Sequence, residues 1–105
     1  MKFEPLLQEV GAKFVYVLDP ERPEGRTWDN AGRVEDVATG SAAGPAAGYL
    51  MRHKVIPGGE PMLLHQGQYT GRPSTIRVRP EPDGRLWVGG SVASVAEGRF
   101  LVETV

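Results

Sequence analysis

The chain has 105 residues, enough for one small domain and too few for two lobes of ordinary size. Twelve basic residues against thirteen acidic ones leave a formal net charge of -1, which excludes a global field that would draw in nucleic acid or an anionic membrane. Cysteine is absent, so a disulfide framework, a thiol nucleophile and a thiolate zinc site are excluded too.

The same composition suits a cytoplasmic protein. MKFEPLLQEV lacks the long apolar core of a signal peptide, and no stretch approaches the ~20 apolar residues of a membrane-spanning helix. A chain this short buries only ~60 to 70% of its unfolded surface, so an added interface such as a homodimer would help it. Fourteen Gly and nine Pro fall singly between apolar runs, which predicts many tight turns joining short strands.

In EPLLQEVGA, Pro5 suits a first helical turn, Leu6, Leu7 and Val10 recur at helical spacing, and Gly11 offers a stop, predicting a helix over 4–10. FVYVLD (14–19) is β-branched and aromatic and ends at Asp19-Pro20, which reads as a buried strand. Residues 20–34 are polar and turn-rich, with a short strand around Arg26 to Trp28. The Ala/Gly run that follows has helical length and reaches His53. Pro45 fits only near its beginning, so the helix should start between Ser41 and Gly44.

Four stretches of strand character complete the chain: EPMLLHQGQ, PSTIRVRP, RLWVGGSVASV and GRFLVETV. Ile76 and Val78 alternate with Arg77 and Arg79, and Leu86 and Val88 alternate with Arg85 and Trp87. Pairing 78 with 86 and 76 with 88 keeps the two faces of a hairpin pure, leaves 80–84 as its loop and sets Arg77 across from Trp87. The near-zero net charge makes these arginines a solvated sheet face rather than a nucleic-acid patch.

A helix with no wide polar face over 42–51 should be buried all round, its small side chains letting backbone approach closely. The predicted fold is therefore α+β, a strongly curved, mostly antiparallel sheet wrapped around one central helix in a single domain, 1–105. At the start of that helix, Thr39, Gly40 and Ser41 would present unpaired N–H groups to an anion, with Ala42 in the same turn and Ser41 able to add a hydroxyl or a cap. On spacing alone an ordinary cap is the favoured reading. Glu35 and Asp36 precede the turn and, on extended backbone, point opposite ways, so only one should face such a site. His53 and His65 lack a carboxylate at ligand spacing, which excludes a metal site, and His65 should lie half buried on a strand.

EDVATGSAAGPAAGYL, then HQGQYTGRPSTIRV, then RLWVGGSVASVAEGRFL, in this order, resemble the C-terminal lobe of the phenazine-biosynthesis (PhzF-like) isomerase family over about residues 12 to 102. That family is related in fold to diaminopimelate epimerase. The resemblance implies two facing lobes, each a curved sheet around a helix, and a proton-shifting site between them that uses no cofactor and no metal. It implies that Asp36 positions or protonates substrate, while Ser41 and the amides near Gly40 meet the carboxylate of a small molecule. Gln66-Gly67 and Gly71-Arg72-Pro73-Ser74 correspond to a strand-turn-strand at the site rim. The chain departs from the pattern at Val37, where Pro is usual, and at WDNAGRV. It carries no counterpart of the family's N-terminal lobe with its catalytic Glu, so a second lobe or a homodimer partner is expected to complete the site. A non-catalytic anion-binding or scaffold domain is the alternative.

Overall fold

The computed structural model describes residues 2–103. Helix α1 (Glu4–Val10) leads into strands β1 (Val17–Asp19) and β2 (Glu24–Arg26), and helix α2 (Gly40–Arg52) follows. Strand β3 (Met62–Gln66), a 3-10 turn (Gln68–Thr70), β4 (Ser74–Pro80) and β5 (Leu86–Gly89) come next. The architecture is α+β. Five strands form one open sheet in the order β1-β2-β3-β4-β5, antiparallel throughout except between β2 and β3.

Helix α1 spans the residues its spacing predicts, and Gly11 at φ 68° ends it in the left-handed conformation that glycine adopts without strain. The strand pattern is clearest in β4, where Ile76, Val78 and Pro80 are buried and Thr75, Arg77 and Arg79 are exposed. In β3, Leu64 and Gln66 face inward, so His65 points out and is exposed rather than half buried.

Helix α2 begins at Gly40, one residue before the predicted range, because the Thr39 carbonyl already accepts the N–H groups of Ala42 and Ala43. Ala43, Ala46 and Ala47 pack with Leu64, Ile76 and Val78 to form the core. Strand β5 packs over Gly44 as well, where a Cβ would make ordinary van der Waals contact with Leu86 at 3.5 Å. Fully burying a side chain such as Leu50, Leu64 or Val78 contributes about 1.5–3 kcal/mol.

The helix is not buried all round. Ser41, Pro45, Tyr49 and Arg52 recur at helical spacing and are exposed, forming an open stripe. The sheet covers one side of α2 and does not close over the other. Pro45 sits on this open stripe, where the Ser41 carbonyl, deprived of its helical N–H partner, stays within reach of solvent.

Three further expectations need correcting. The strand predicted over 14–19 is only Val17–Asp19, at the sheet edge, with Phe14 and Val17 exposed, because just one neighbour, β2, pairs with it. The short strand expected near Arg26 to Trp28 lies at Glu24–Arg26, and Trp28 makes only an isolated bridge with Glu35. The last hairpin pairs Val78 with Val88 and Pro80 with Leu86, two residues from the predicted register, which sets Arg79 opposite Trp87. Its turn explains the shift. Glu81 and Arg85 close a Pro82-Asp83-Gly84 loop, and Gly84 at φ 92° supplies the left-handed residue that such a loop needs. Because the slip is even, the arginines stay outside, and Arg79 lies 5.6 Å from the Trp87 ring.

Strand β5 stops at Gly89, and residues 90–103 form no strand although two strands were expected over 85–95 and 98–105. Thr104 and Val105 lie outside the described residues. Val92, Val95, Phe100, Leu101 and Val102 are between 81 and 95% exposed, because no strand among the described residues pairs with this segment.

The inward and open sides of α2 should respond oppositely to substitution. Ala47→Leu overpacks a site with no free space and is expected to lower unfolding free energy by roughly 1–3 kcal/mol. Pro45→Ala restores a helical hydrogen bond on the exposed side and should raise stability, by up to about 3 kcal/mol. Urea unfolding of both variants checks this, and equal losses would contradict the described orientation.

Candidate functional site

The two acids ahead of α2 separate as the extended backbone requires. Glu35 turns to Arg26, which donates two hydrogen bonds to it, at 2.6 Å from Nη2 and 3.1 Å from Nε. The Arg26 guanidinium carbon lies 4.8 Å from the Trp28 ring centroid and 4.1 Å from the Tyr69 ring centroid, within cation–π range of both. The bond to Glu35 pushes the Arg26 pKa above its ordinary range. Glu35 is thereby held in an ion pair. Asp36, by contrast, is exposed and has no Lys, Arg or His within salt-bridge distance among the described residues. It accepts a 2.6 Å hydrogen bond from the Thr39 hydroxyl.

At the first turn of α2 the four expected positions divide. The Thr39 N–H is taken by Gln66 Oε1 at 3.2 Å, and the Ala42 N–H by the Thr39 carbonyl at 3.2 Å. Gly40 and Ser41 are exposed, and their N–H groups have no partner among the described residues. No side chain caps the helix, so neither Thr39 nor Ser41 serves as the ordinary cap that spacing alone favours. A Cβ on Gly40 would meet nothing within 4 Å, so the space beside that amide is open. Two free N–H groups thus stand as unused hydrogen-bond donors at the positive end of a thirteen-residue helix, close to the loop that presents Asp36.

The HQG and GRPS segments hold this loop from beneath. Gln66 Nε2 donates to the Asp36 carbonyl at 3.3 Å and to Thr39 Oγ1 at 2.8 Å, and Ser74 Oγ donates to the Val37 carbonyl at 3.1 Å. Gly67, at φ 85°, lies so close that a Cβ would fall 2.5 Å from the Arg72 carbonyl oxygen and 2.6 Å from that of Val37. The Tyr16 hydroxyl donates to Gln66 Oε1 at 3.1 Å from the other side. Its ring crosses over Gly25, where any Cβ would collide with it.

Two concavities meet here. One, of about 590 Å³, is bordered by Trp28, Glu35, Asp36, Val37 and Thr39, and the other, of about 490 Å³, by Tyr16, Leu18, Ala46 and Tyr49 along the open stripe of α2. Phe14 and Ser41 border both. The structure thus brings Asp36, Thr39, Gly40 and Ser41 to one rim, with Ala42 buried just behind. Among the described residues no cluster suits a metal ion, and no helix is long and apolar enough to cross a membrane. The sequence places Gln66 in a strand-turn-strand at the site rim and leaves its hydrogen-bond partners unnamed. The available signal was the alternation of β3, which puts a polar side chain on the core face, where it must find partners.

Comparison with known proteins places these residues in a wider group. The family model described as phenazine biosynthesis-like protein (PhzC-PhzF) matches residues 25–98. The trans-2,3-dihydro-3-hydroxyanthranilate isomerase of Pseudomonas aeruginosa is 45% identical over 85 residues, covering 71% of this chain and 31% of that protein. Its namesake from Pseudomonas fluorescens is 46% identical over 88 residues, covering 74% and 32%. A solved structure of a predicted epimerase from Pseudomonas aeruginosa superimposes with a TM-score of 0.87 at 48% identity, covering 98% of this chain and 36% of that one. The chain spans about a third of the length of these relatives.

Burial raises the Tyr16 phenol from its ordinary 10.0 to about 12. A raised pKa means that the folded state keeps its proton after the unfolded chain has lost it, so the contribution is complete below about pH 10 and is lost as pH rises toward 12. Urea unfolding across this window should show a steeper loss of stability for the unsubstituted chain than for Tyr16→Phe. Parallel curves would contradict the described setting of Tyr16.

Proposed function

Since the chain belongs to the phenazine biosynthesis-like (PhzC-PhzF) family, we propose that it is one lobe of a cofactor-independent isomerase or epimerase acting on a small carboxylic acid. The observation that carries this reading is the pair of amides at Gly40 and Ser41, free among the described residues, beside an acid with no cationic partner among them. The substrate carboxylate accepts hydrogen bonds from both amides. Such charge-assisted bonds are short and strong and fix the orientation of what they hold. The apolar concavity along Phe14, Tyr16 and Tyr49 takes the carbon skeleton, and the isomerase relatives suggest a ring bearing hydroxyl and amino groups.

Asp36 stands at the rim as the group that positions or protonates the substrate. Thr39 hydrogen-bonds its carboxylate, which fixes where the acid is presented. A cofactor-free proton shift also needs a base on the opposite side. Glu35 is not available for that role, because Arg26 occupies both of its oxygens. We therefore assign the opposite wall to a second lobe or a second copy of the chain. The open stripe of α2 and the exposed apolar segment 92–102 support that assignment, since both leave apolar surface for a partner to cover. With such a partner the sheet would wrap around α2 as in a complete lobe, and a cytoplasmic setting belongs to the same proposal. The missing base equally favours the second reading, a domain that binds a small anion without turning it over.

Gly40→Pro tests the binding half cleanly. It deletes one amide donor at the first helical position, where proline is well tolerated and where a Cβ meets open space. Calorimetric titration with anthranilate, a ring carboxylate, should show about a tenfold loss of affinity, the effect of roughly 1.5 kcal/mol for one charge-assisted hydrogen bond, with the melting temperature unchanged. Unchanged affinity would remove the amides from the site. Deuterium uptake from heavy water into candidate carboxylic acids, abolished by Asp36→Asn, would establish catalysis, and binding without uptake would establish the second reading.

A further inference from the structure

Gln66 is 1% exposed, and its side-chain amide uses its full bonding capacity. Oε1 accepts from the Tyr16 hydroxyl and from the Thr39 N–H, while Nε2 donates to the Asp36 carbonyl and to Thr39 Oγ1. Two of these partners cannot change roles, since a backbone N–H only donates and a carbonyl only accepts. The amide is therefore locked in one orientation, because a flip would set donor against donor at Thr39 and acceptor against acceptor at Asp36.

The lock extends one bond further. Thr39 Oγ1 accepts a hydrogen bond from Nε2, so its own proton is directed to the remaining acceptor, Asp36 Oδ2, at 2.6 Å. One buried amide thus fixes the backbone at Asp36, the amide of Thr39 just before the two free donors, and the hydroxyl that steadies the Asp36 carboxylate. We propose that Gln66 is the positioning residue of the candidate site, setting the angle between the Asp36 carboxylate and the Gly40 and Ser41 amides through Thr39. This rests on the functional reading above as far as ligand is concerned, and on hydrogen-bond geometry alone as far as the loop is concerned.

Hydrogen exchange and a double-mutant cycle test it together on the full chain. In Gln66→Met, which keeps the length and loses every hydrogen bond, the Thr39 amide should exchange at least tenfold faster, while amides of the β3–β4 ladder such as Leu64 and Val78 keep their protection. Unchanged exchange at Thr39 would overturn the proposal. Affinity for anthranilate should fall about tenfold in Gln66→Met and in Thr39→Val, and no further in the double variant, because the two act in series. Multiplied losses in the double variant would show that Gln66 acts independently of Thr39 and would also overturn it. Should Gln66→Met fail to fold, Gln66→Glu keeps both acceptor contacts and, with at most one proton on its carboxyl, loses at least one of the two donor contacts. It should leave the Thr39 amide protected and lower the NMR order parameters of Val37 and Ala38, and unchanged order there would count against the proposal. If the unsubstituted chain does not bind anthranilate at all, the functional reading fails, while the exchange and order measurements still decide the role of Gln66.

Discussion

A buried primary amide cannot sit half satisfied, because each unpaired polar atom in the interior costs about 1–3 kcal/mol. Gln66 meets that demand by reaching three separate parts of the chain at once: Tyr16 beside the edge strand, Asp36 in the acidic loop and Thr39 at the mouth of α2. The other residues of its motif serve the same junction. Gly67 is small where two carbonyl oxygens crowd it, and Ser74 bonds the carbonyl between the acid and the helix. Strand, loop and helix are consequently tied at one point, which is also the point where the free amides and the unpaired acid are exposed.

Around that knot the packing follows from side-chain size. Alanines on one side of α2 let the helix settle against the sheet, so a thin helix and a small sheet build a core from few residues. The opposite side of α2 stays uncovered, and the apolar segment beyond β5 lies against nothing. The chain itself spans about a third of its relatives' length.

Much of this was legible in the sequence. The α1 boundaries, the Ala/Gly helix, the in-and-out alternation of Ile76 and Val78 against Arg77 and Arg79, and the divergence of Glu35 from Asp36 all follow from spacing and residue type. What escaped depended on long-range partners. The register of the last hairpin was decided by Gly84, whose left-handed backbone fixes the turn, and alternation cannot tell a two-residue slip from none. Burial of 14–19 was overestimated because hydrophobicity does not reveal that a strand lies at a sheet edge. The role of Gln66 was hidden because its partners stand 27 to 50 residues away, although a polar residue on an inward strand position was a usable sign.

The central claim is that the first turn of α2 offers its two free amides to a carboxylate beside Asp36. Backbone amide NMR spectra recorded while anthranilate is added test it most directly. The account predicts that the Gly40 and Ser41 resonances move farthest, followed by those of the 36–39 loop. Stationary Gly40 and Ser41 signals, with movement confined to the Arg77, Arg79 and Trp87 face of the sheet, would contradict it.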